Sequence, residues 1–246
     1  MCTVTILPKS LVSTAAADVE DPMRWRLVCN RDELTTRPAA LPPRITRMGS
    51  RLVLMPIDPE SGGTWIGVND AGLACSLLNV YSGTEVTRAP VSRGTIVPPL
   101  LRYGDVDSAF MWASQLQPAR YQPFRLLIVD GRELIECCSD GITLEHRRRQ
   151  LRHPLMRTSS GLGDRRVVRP RAELFRRFLA ATSNKIAAED LFHLHQWRGR
   201  EEVSVRMRRS DARTVSHTVI EVRERTVRLV YRPAEAAESV SLTLAA

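Results

Sequence analysis

The order of secondary-structure signals predicts an α+β fold: a four-layer αββα sandwich of two mainly antiparallel sheets between helix layers. Two observations point there. Short β-branched or apolar runs bounded by turn residues recur along the chain, and two helical pairs interrupt them. No repeat or low-complexity linker divides the 246 residues, a length that buries one substantial core, so residues 1–246 are expected to form a single domain.

Taken in order, Thr3-Val4-Thr5-Ile6-Leu7 reads as a strand ended by Pro8. Trp25-Arg26-Leu27-Val28-Cys29 reads as another, preceded by Asp21-Pro22, and runs directly into Asn30-Arg31-Asp32-Glu33. Residues 52–55 form a short strand, and 64–68 with 73–78 flank the hairpin signal Asn69-Asp70-Ala71-Gly72. Residues 93–103 and 105–116 are expected to be helices, the first interrupted by Pro98-Pro99. A meander follows over 124–129, 134–138 and 142–145, with turns at Asp130-Gly131 and Asp140-Gly141. Helices are predicted near 168–181 and 186–197, then strands over 203–207, 214–222, 226–231 and 240–244. The first of those helices carries an apolar stripe of Leu174, Phe175, Phe178 and Leu179, with Arg171, Arg176 and Arg177 on its other side. That pattern suits an outer-layer helix lying on a sheet.

Cys2 is the residue with the most specific chemistry. Methionine aminopeptidases remove Met1 when a small residue follows, which would leave a thiol and a free α-amine on one residue. An α-amine titrates near 8 and a Cys thiol near 8.5, so the amine can accept the thiol proton and no histidine is needed. If the first two strands pair antiparallel, Arg31 and Asp32 come near Cys2. A guanidinium there favours the thiolate, and a carboxylate could orient the amine. Alternation places adjacent strand residues on opposite faces, so both reach Cys2 only if the chain turns at Arg31; Glu33 is the substitute if Asp32 faces away. Asn79, at the end of its hairpin strand, could donate to an oxyanion or cap a turn.

Met1-Cys2, Asn30-Arg31-Asp32-Glu33, Arg37-Pro38 and Gly62-Gly63-Thr64-Trp65-Ile66-Gly67-Val68-Asn69 together resemble the NRDE family, called the transport and Golgi organisation protein 2 family in eukaryotes. Ser92-Arg93-Gly94 and Thr214-Val215-Ser216 fit as well. The resemblance implies an N-terminal-nucleophile hydrolase fold and a Cys amidohydrolase acting on a linear, non-peptide acyl amide without a cofactor. On the amidohydrolase reading, catalysis falls to Cys2, Arg31, Asp32 and Asn79, and substrate binding to Asn30, Glu33 and Trp65. Two departures stand out. Cys amidases place their Arg and Asp three residues apart, whereas Arg31 and Asp32 are adjacent. Where an oxyanion-hole Asn is expected, this chain has Arg157-Thr158-Ser159-Ser160-Gly161-Leu162-Gly163-Asp164, which reads as a turn and helix cap. The alternative the family implies is a non-catalytic carrier or trafficking protein for a hydrophobic ligand such as haem or lipid.

Composition narrows the partners. The net charge of +9 comes almost wholly from Arg, with only Lys9 and Lys185 as lysines, and no aromatics interleave with the run Arg147-Arg148-Arg149. A uniform Arg excess without stacking residues argues against specific nucleic-acid binding. No run approaches the roughly 18 apolar residues of a membrane span, and no secretory signal opens the chain. Cys2, Cys29, Cys75, Cys137 and Cys138 show no zinc spacing, and His193 and His195 are not at the i, i+4 spacing of a helical metal site. A reduced, cytoplasmic chain is expected.

Overall fold

The computed structural model describes residues 2–12, 20–81, 90–235 and 238–246. Its first sheet has six strands in the order Leu155–Thr158 (β10), Cys2–Pro8 (β1), Met23–Leu34 (β2), Ala212–Arg223 (β11), Thr226–Pro233 (β12) and Val240–Ala245 (β13). The second has seven, Leu41–Met48 (β3), Arg51–Ile57 (β4), Ile66–Asn69 (β5), Ala74–Asn79 (β6), Phe124–Val129 (β7), Glu133–Ser139 (β8) and Leu144–Gln150 (β9), in chain order. Neighbouring strands are antiparallel throughout both sheets.

Strand alternation sorts the side chains into layers. Cys2, Val4 and Ile6 of β1 turn inward with Leu27 and Ile220, meeting Leu54, Ile66, Val68 and Leu127 of the facing sheet. On the outer side of the seven-stranded sheet, helices Val97–Leu100 (α2) and Val106–Ala113 (α3) seat Val97, Leu100 and Ala109 among Cys75, Phe124 and Leu126. On the outer side of the six-stranded sheet, Lys9–Val12 (α1), Arg165–Ala181 (α4) and Lys185–Leu194 (α5) cover Leu7 and Met23 with Leu174, Phe175, Leu179 and Phe192. Each such side chain contributes about 1.5–3 kcal/mol on full burial. The predicted four layers are present: helices, sheet, sheet, helices.

Several boundaries differ from the sequence reading, each for a physical reason. Leu41–Met48 forms β3 although it contains Pro42-Pro43, which is tolerable because β3 is an edge strand. Residues 203–207 are not a strand; a 3₁₀ turn at Glu201–Val203 leads into irregular chain whose Val205 joins the outer core beneath α4 and α5. The helix expected over 93–103 is reduced to a 3₁₀ turn at Arg93–Thr95 and the short α2, with Pro98-Pro99 inside its single turn. The expected strand 142–145 begins at Leu144 and continues through the arginine run as β9, the exposed edge of its sheet. Arg171, expected on the exposed side of its helix, is buried at 1% exposure. It donates to Thr3 Oγ1 (2.7 Å), Thr158 Oγ1 (2.6 Å) and the carbonyls of Val203 (3.1 Å) and Ser204 (2.6 Å).

Candidate functional site

The register of β1 on β2 builds the site. Cys2 lies directly opposite Arg31, and Val4 opposite Cys29, so Cys2, Arg31 and Cys29 share the inner face. A cavity of about 150 Å³ opens there, with Cys2, Arg31, Glu33, Trp65, Asn79 and Arg93 in its wall. The Arg31 guanidinium stacks 4.1 Å from the Trp65 ring centroid, an arrangement that fixes its plane while leaving edge donors in use. Its Nη2 donates to Asp58 Oδ2 at 2.6 Å and to Glu33 Oε2 at 3.3 Å.

Asp58 organises this wall, and sequence reasoning did not identify it. Its carboxylate accepts from Arg31, from Arg37 Nε (3.0 Å) and Nη2 (3.1 Å), and from the backbone N–H groups of Glu60 (3.1 Å) and Ser61 (3.2 Å). Burial alone would raise its pKa, but the Arg37 hydrogen bond and the Arg37 and Arg31 charges outweigh it and hold the carboxyl below the usual range. The signal available in the sequence was proximity: Asp58 precedes the Gly62-Gly63-Thr64-Trp65 motif by a few residues. Gly63 in that motif faces the backbone of Gly94, whose oxygen would lie 2.2 Å from a Cβ at position 63. The two loops join there through Thr64 N–H donating to Gly94 O at 2.9 Å, which brings Arg93 into the cavity wall.

Cys2 is 4% exposed and pinned from its other flank. Its nitrogen donates to Ser159 Oγ at 3.2 Å, and its carbonyl accepts from Ser159 N at 2.9 Å and Thr158 Oγ1 at 3.3 Å. The segment read as a turn and cap therefore supplies, in Ser159, a polar contact to the Cys2 nitrogen. The Cys2 thiol is held below its ordinary value, first by a hydrogen bond from Cys29 and, against burial, by the Arg31 charge among others. Cys29 is pushed well up by that same bond and by burial, and it lies opposite Val4 whereas Cys2 lies opposite the Arg31 charge.

The tetrad does not act as one group. β2 stays extended through Leu34 instead of turning at Arg31, so alternation sends Arg31 and Glu33 to the cavity and Asn30 and Asp32 to the helix side. Asp32 accepts from Thr214 Oγ1 at 2.7 Å, and burial raises its pKa against the opposing Arg171 charge. Asn30 Nδ2 donates to the carbonyls of His193 (2.8 Å) and Val205 (3.1 Å). Of the seven residues expected at the site, the structure brings Cys2, Arg31, Glu33, Trp65 and Asn79 together and leaves Asn30 and Asp32 outside the cavity. Asn79 donates to Tyr81 Oη at 3.0 Å with one of its amide protons. Among the described residues no group of His, Cys, Asp and Glu forms a metal site.

The profile of the Transport and Golgi organisation 2 family matches residues 14–228. The chain belongs to that family. No curated protein matches it in sequence. Among solved structures it resembles a conjugated bile acid hydrolase from Clostridium perfringens, with a TM-score of 0.55 at 13% identity over 98% of this chain and 92% of the other. It also resembles the Caenorhabditis elegans N-acylethanolamine-hydrolyzing acid amidase ortholog, with a TM-score of 0.55 at 10% identity over 89% of this chain and 92% of the other. At such identities the likeness is one of fold: the two-sheet sandwich of this family member is shared with both of those proteins. No helix among the described residues is long and apolar enough to cross a membrane.

Proposed function

We propose that the protein is an N-terminal-nucleophile amidohydrolase that cleaves a small, non-peptide acyl amide, with Cys2 as nucleophile once Met1 is removed. The observation that carries this reading is the placement of the Cys2 thiol, opposite Arg31 in a small polar cavity, with a buried hydroxyl at its nitrogen. The amine of a processed Cys2 would take the thiol proton, and the thiolate would attack the amide carbonyl. The amine would return that proton to the leaving nitrogen as the C–N bond breaks, leaving a thioester that water hydrolyses to acid and free thiol. Ser159 Oγ would orient the amine. Asp32, which faces the helix side, would act on it through its charge and not as part of the cavity wall.

Two donors suit the developing oxyanion. Asn79 retains an amide proton beyond its bond to Tyr81, and Trp65 Nε1–H is buried without a partner among the described residues. Glu33 and Trp65 would contact substrate. Conjugated bile acids and N-acylethanolamines, named for the structural neighbours, are both acyl amides, which supports the substrate class. Charged and polar side chains dominate the cavity wall, which suits an amide better than a hydrophobic ligand such as haem. Five free thiols suit a reducing compartment, which we take to be the cytoplasm.

Intact mass spectrometry of purified protein, before and after exposure to an activated acetyl ester, tests the proposal. The expected result is a chain without Met1 that gains one acetyl group on Cys2, lost in Cys2→Ala. Full retention of Met1 on protein that still acylates would overturn the free-amine mechanism.

A further inference from the structure

A second cavity, of about 400 Å³, lies on the helix side of the six-stranded sheet, across β2 from the Cys2 pocket. Asn30, His193, His217, Arg206, Arg232 and Leu194 stand in its wall, and the amidase reading uses none of them. His193 and His217 approach with ring centroids 5.7 Å apart.

The hydrogen bonds around this cavity fix what each polar group has left to offer. With Glu189 ionised against Arg26, Thr5 gives its hydroxyl proton to Glu189 Oε1 at 2.5 Å, so at its 2.8 Å contact with His193 Nε2 the histidine donates. His193 Nδ1 is then a bare acceptor. Arg232 Nη1 can only donate to His217 Nδ1, 3.3 Å away, so the proton of the neutral His217 ring is on Nε2. Burial and the Arg232 charge push His217 down to about 4, which keeps that ring neutral. Asn30 spends its amide protons on two carbonyls, leaving Oδ1. Asn30 Oδ1, His193 Nδ1 and His217 Nε2 are all buried without partners among the described residues. Their residues stand in the cavity wall, and each unmade buried hydrogen bond costs about 1–3 kcal/mol, so an occupant toward which these side chains turn would gain by satisfying them.

The rim gives the occupant its charge. Arg206 and Arg232 are exposed and form no ion pair among the described residues, whereas Asp190 is already held by Arg26 at 2.6 Å. The mouth is therefore cationic. Leu194, Pro233 and Ala234 add apolar wall.

We propose that this cavity binds a small hydroxylated carboxylate. Its carboxylate meets Arg206 and Arg232, its hydroxyl protons go to Asn30 Oδ1 and His193 Nδ1, and one of its oxygens accepts from His217 Nε2. The volume admits a sugar acid, within the usual range for small-molecule sites. Ordered water could also satisfy the three unpaired atoms, and a cavity filled by water alone would show no saturable binding of a carboxylate.

Isothermal titration of the full chain with sodium gluconate, sodium hexanoate and glucose separates these contributions. Gluconate has both carboxylate and hydroxyls, and each of the others has one. Saturable gluconate binding, at least about tenfold tighter than either comparison probe, is expected. Leu194→Glu, which sets a like charge in the mouth, and Arg232→Gln should each weaken it by about tenfold or more. Both positions are exposed, so neither substitution threatens the fold. Cys2→Ala should bind gluconate unchanged, which separates this site from the amidase reading. Absence of saturable gluconate binding would leave water as the occupant and overturn the proposal. So would equal binding of hexanoate, or affinity that survives both rim substitutions.

Discussion

Replacing Arg171 by Met keeps most of the aliphatic volume of the side chain while removing its charge and donors. Two carbonyls, of Val203 and Ser204, lose a charged donor, and the hydroxyls of Thr3 and Thr158 lose another. The hydroxyls can still bond each other at 3.0 Å, so the carbonyls bear most of that loss, about 1–3 kcal/mol apiece if left unpaired. Asp32, 1% exposed, also loses the Arg171 charge that opposes its desolvation. These contributions overlap, and burying the guanidinium is itself costly, as the lowering of its pKa by burial shows. The net expectation is a loss of about 3–5 kcal/mol, a large share of the roughly 5–15 kcal/mol typical of a folded protein.

Urea unfolding followed by circular dichroism measures that loss directly. A double-mutant cycle with Asp32→Asn apportions it: removing the carboxylate as well should recover more than about 1 kcal/mol relative to additivity. A loss below about 1 kcal/mol, or an additive cycle, would refute the claim that Arg171 is held by charge and hydrogen bonds. Because Thr3 and Thr158 flank Cys2 in the β1–β10 pairing, a surviving variant should also show slower Cys2 acylation.

Limited iodoacetamide at mildly acidic pH should modify Cys2 before Cys138, although Cys138 is the more exposed, because the Cys29 hydrogen bond and, to a smaller extent, the Arg31 charge favour the Cys2 thiolate. Burial pushes Cys75 up and Cys137 up to about 12, so neither should compete; peptide mapping with first labelling elsewhere would count against the site. Gly63→Ala forces a Cβ onto the Gly94 backbone and should cost about 1–3 kcal/mol by thermal melting, together with reduced Cys2 acylation as the Arg93 loop shifts. For Glu136, burial raises the pKa but the Arg157 hydrogen bond and the Arg157, Arg125 and Arg149 charges outweigh it, so the folded value lies below the unfolded one near 4.3. The stability it adds is therefore present above about pH 4.3 and lost as pH falls through the folded value; Glu136→Gln should flatten the acid limb of the pH–stability curve, and an unchanged limb would contradict the assignment.

The sheet core was legible because alternation and turn chemistry are local. Residues 3–7 and 25–29 alternate inward and outward as their residue types require, and their pairing follows from the reversal between them. Residues 203–207 show the limit of such reading. Val203, Val205 and Met207 alternate as a strand would, and all three are buried, yet the Val203 and Ser204 carbonyls are taken by Arg171 and the Arg206 N–H by His195 O. Those partners are tertiary, and no window of sequence contains them. Arg171 misled for the same reason: beside Arg176 and Arg177 it looks like one more solvated charge, and only its partners on β1, β10 and the 203–204 segment distinguish it.

The tetrad shows how one strand can serve two sites. Had the chain turned after Arg31, Asp32 would have entered the cavity as the carboxylate beside the thiol. β2 instead pairs with β11 on past that point, with Asp32 opposite Thr214 and Glu33 opposite Arg213, and pairing on that side holds it extended. Parity then gives the cavity Arg31 and Glu33, with Asp58 as the principal anchor of Arg31, and gives the helix side Asn30 and Asp32. Arg171 couples the two faces: its guanidinium grips Thr3 and Thr158 beside Cys2 while its charge steadies Asp32. A polar tetrad at the end of a buried strand is expensive unless both faces supply partners, and here one face supplies a thiol pocket and the other a buried arginine and a second cavity.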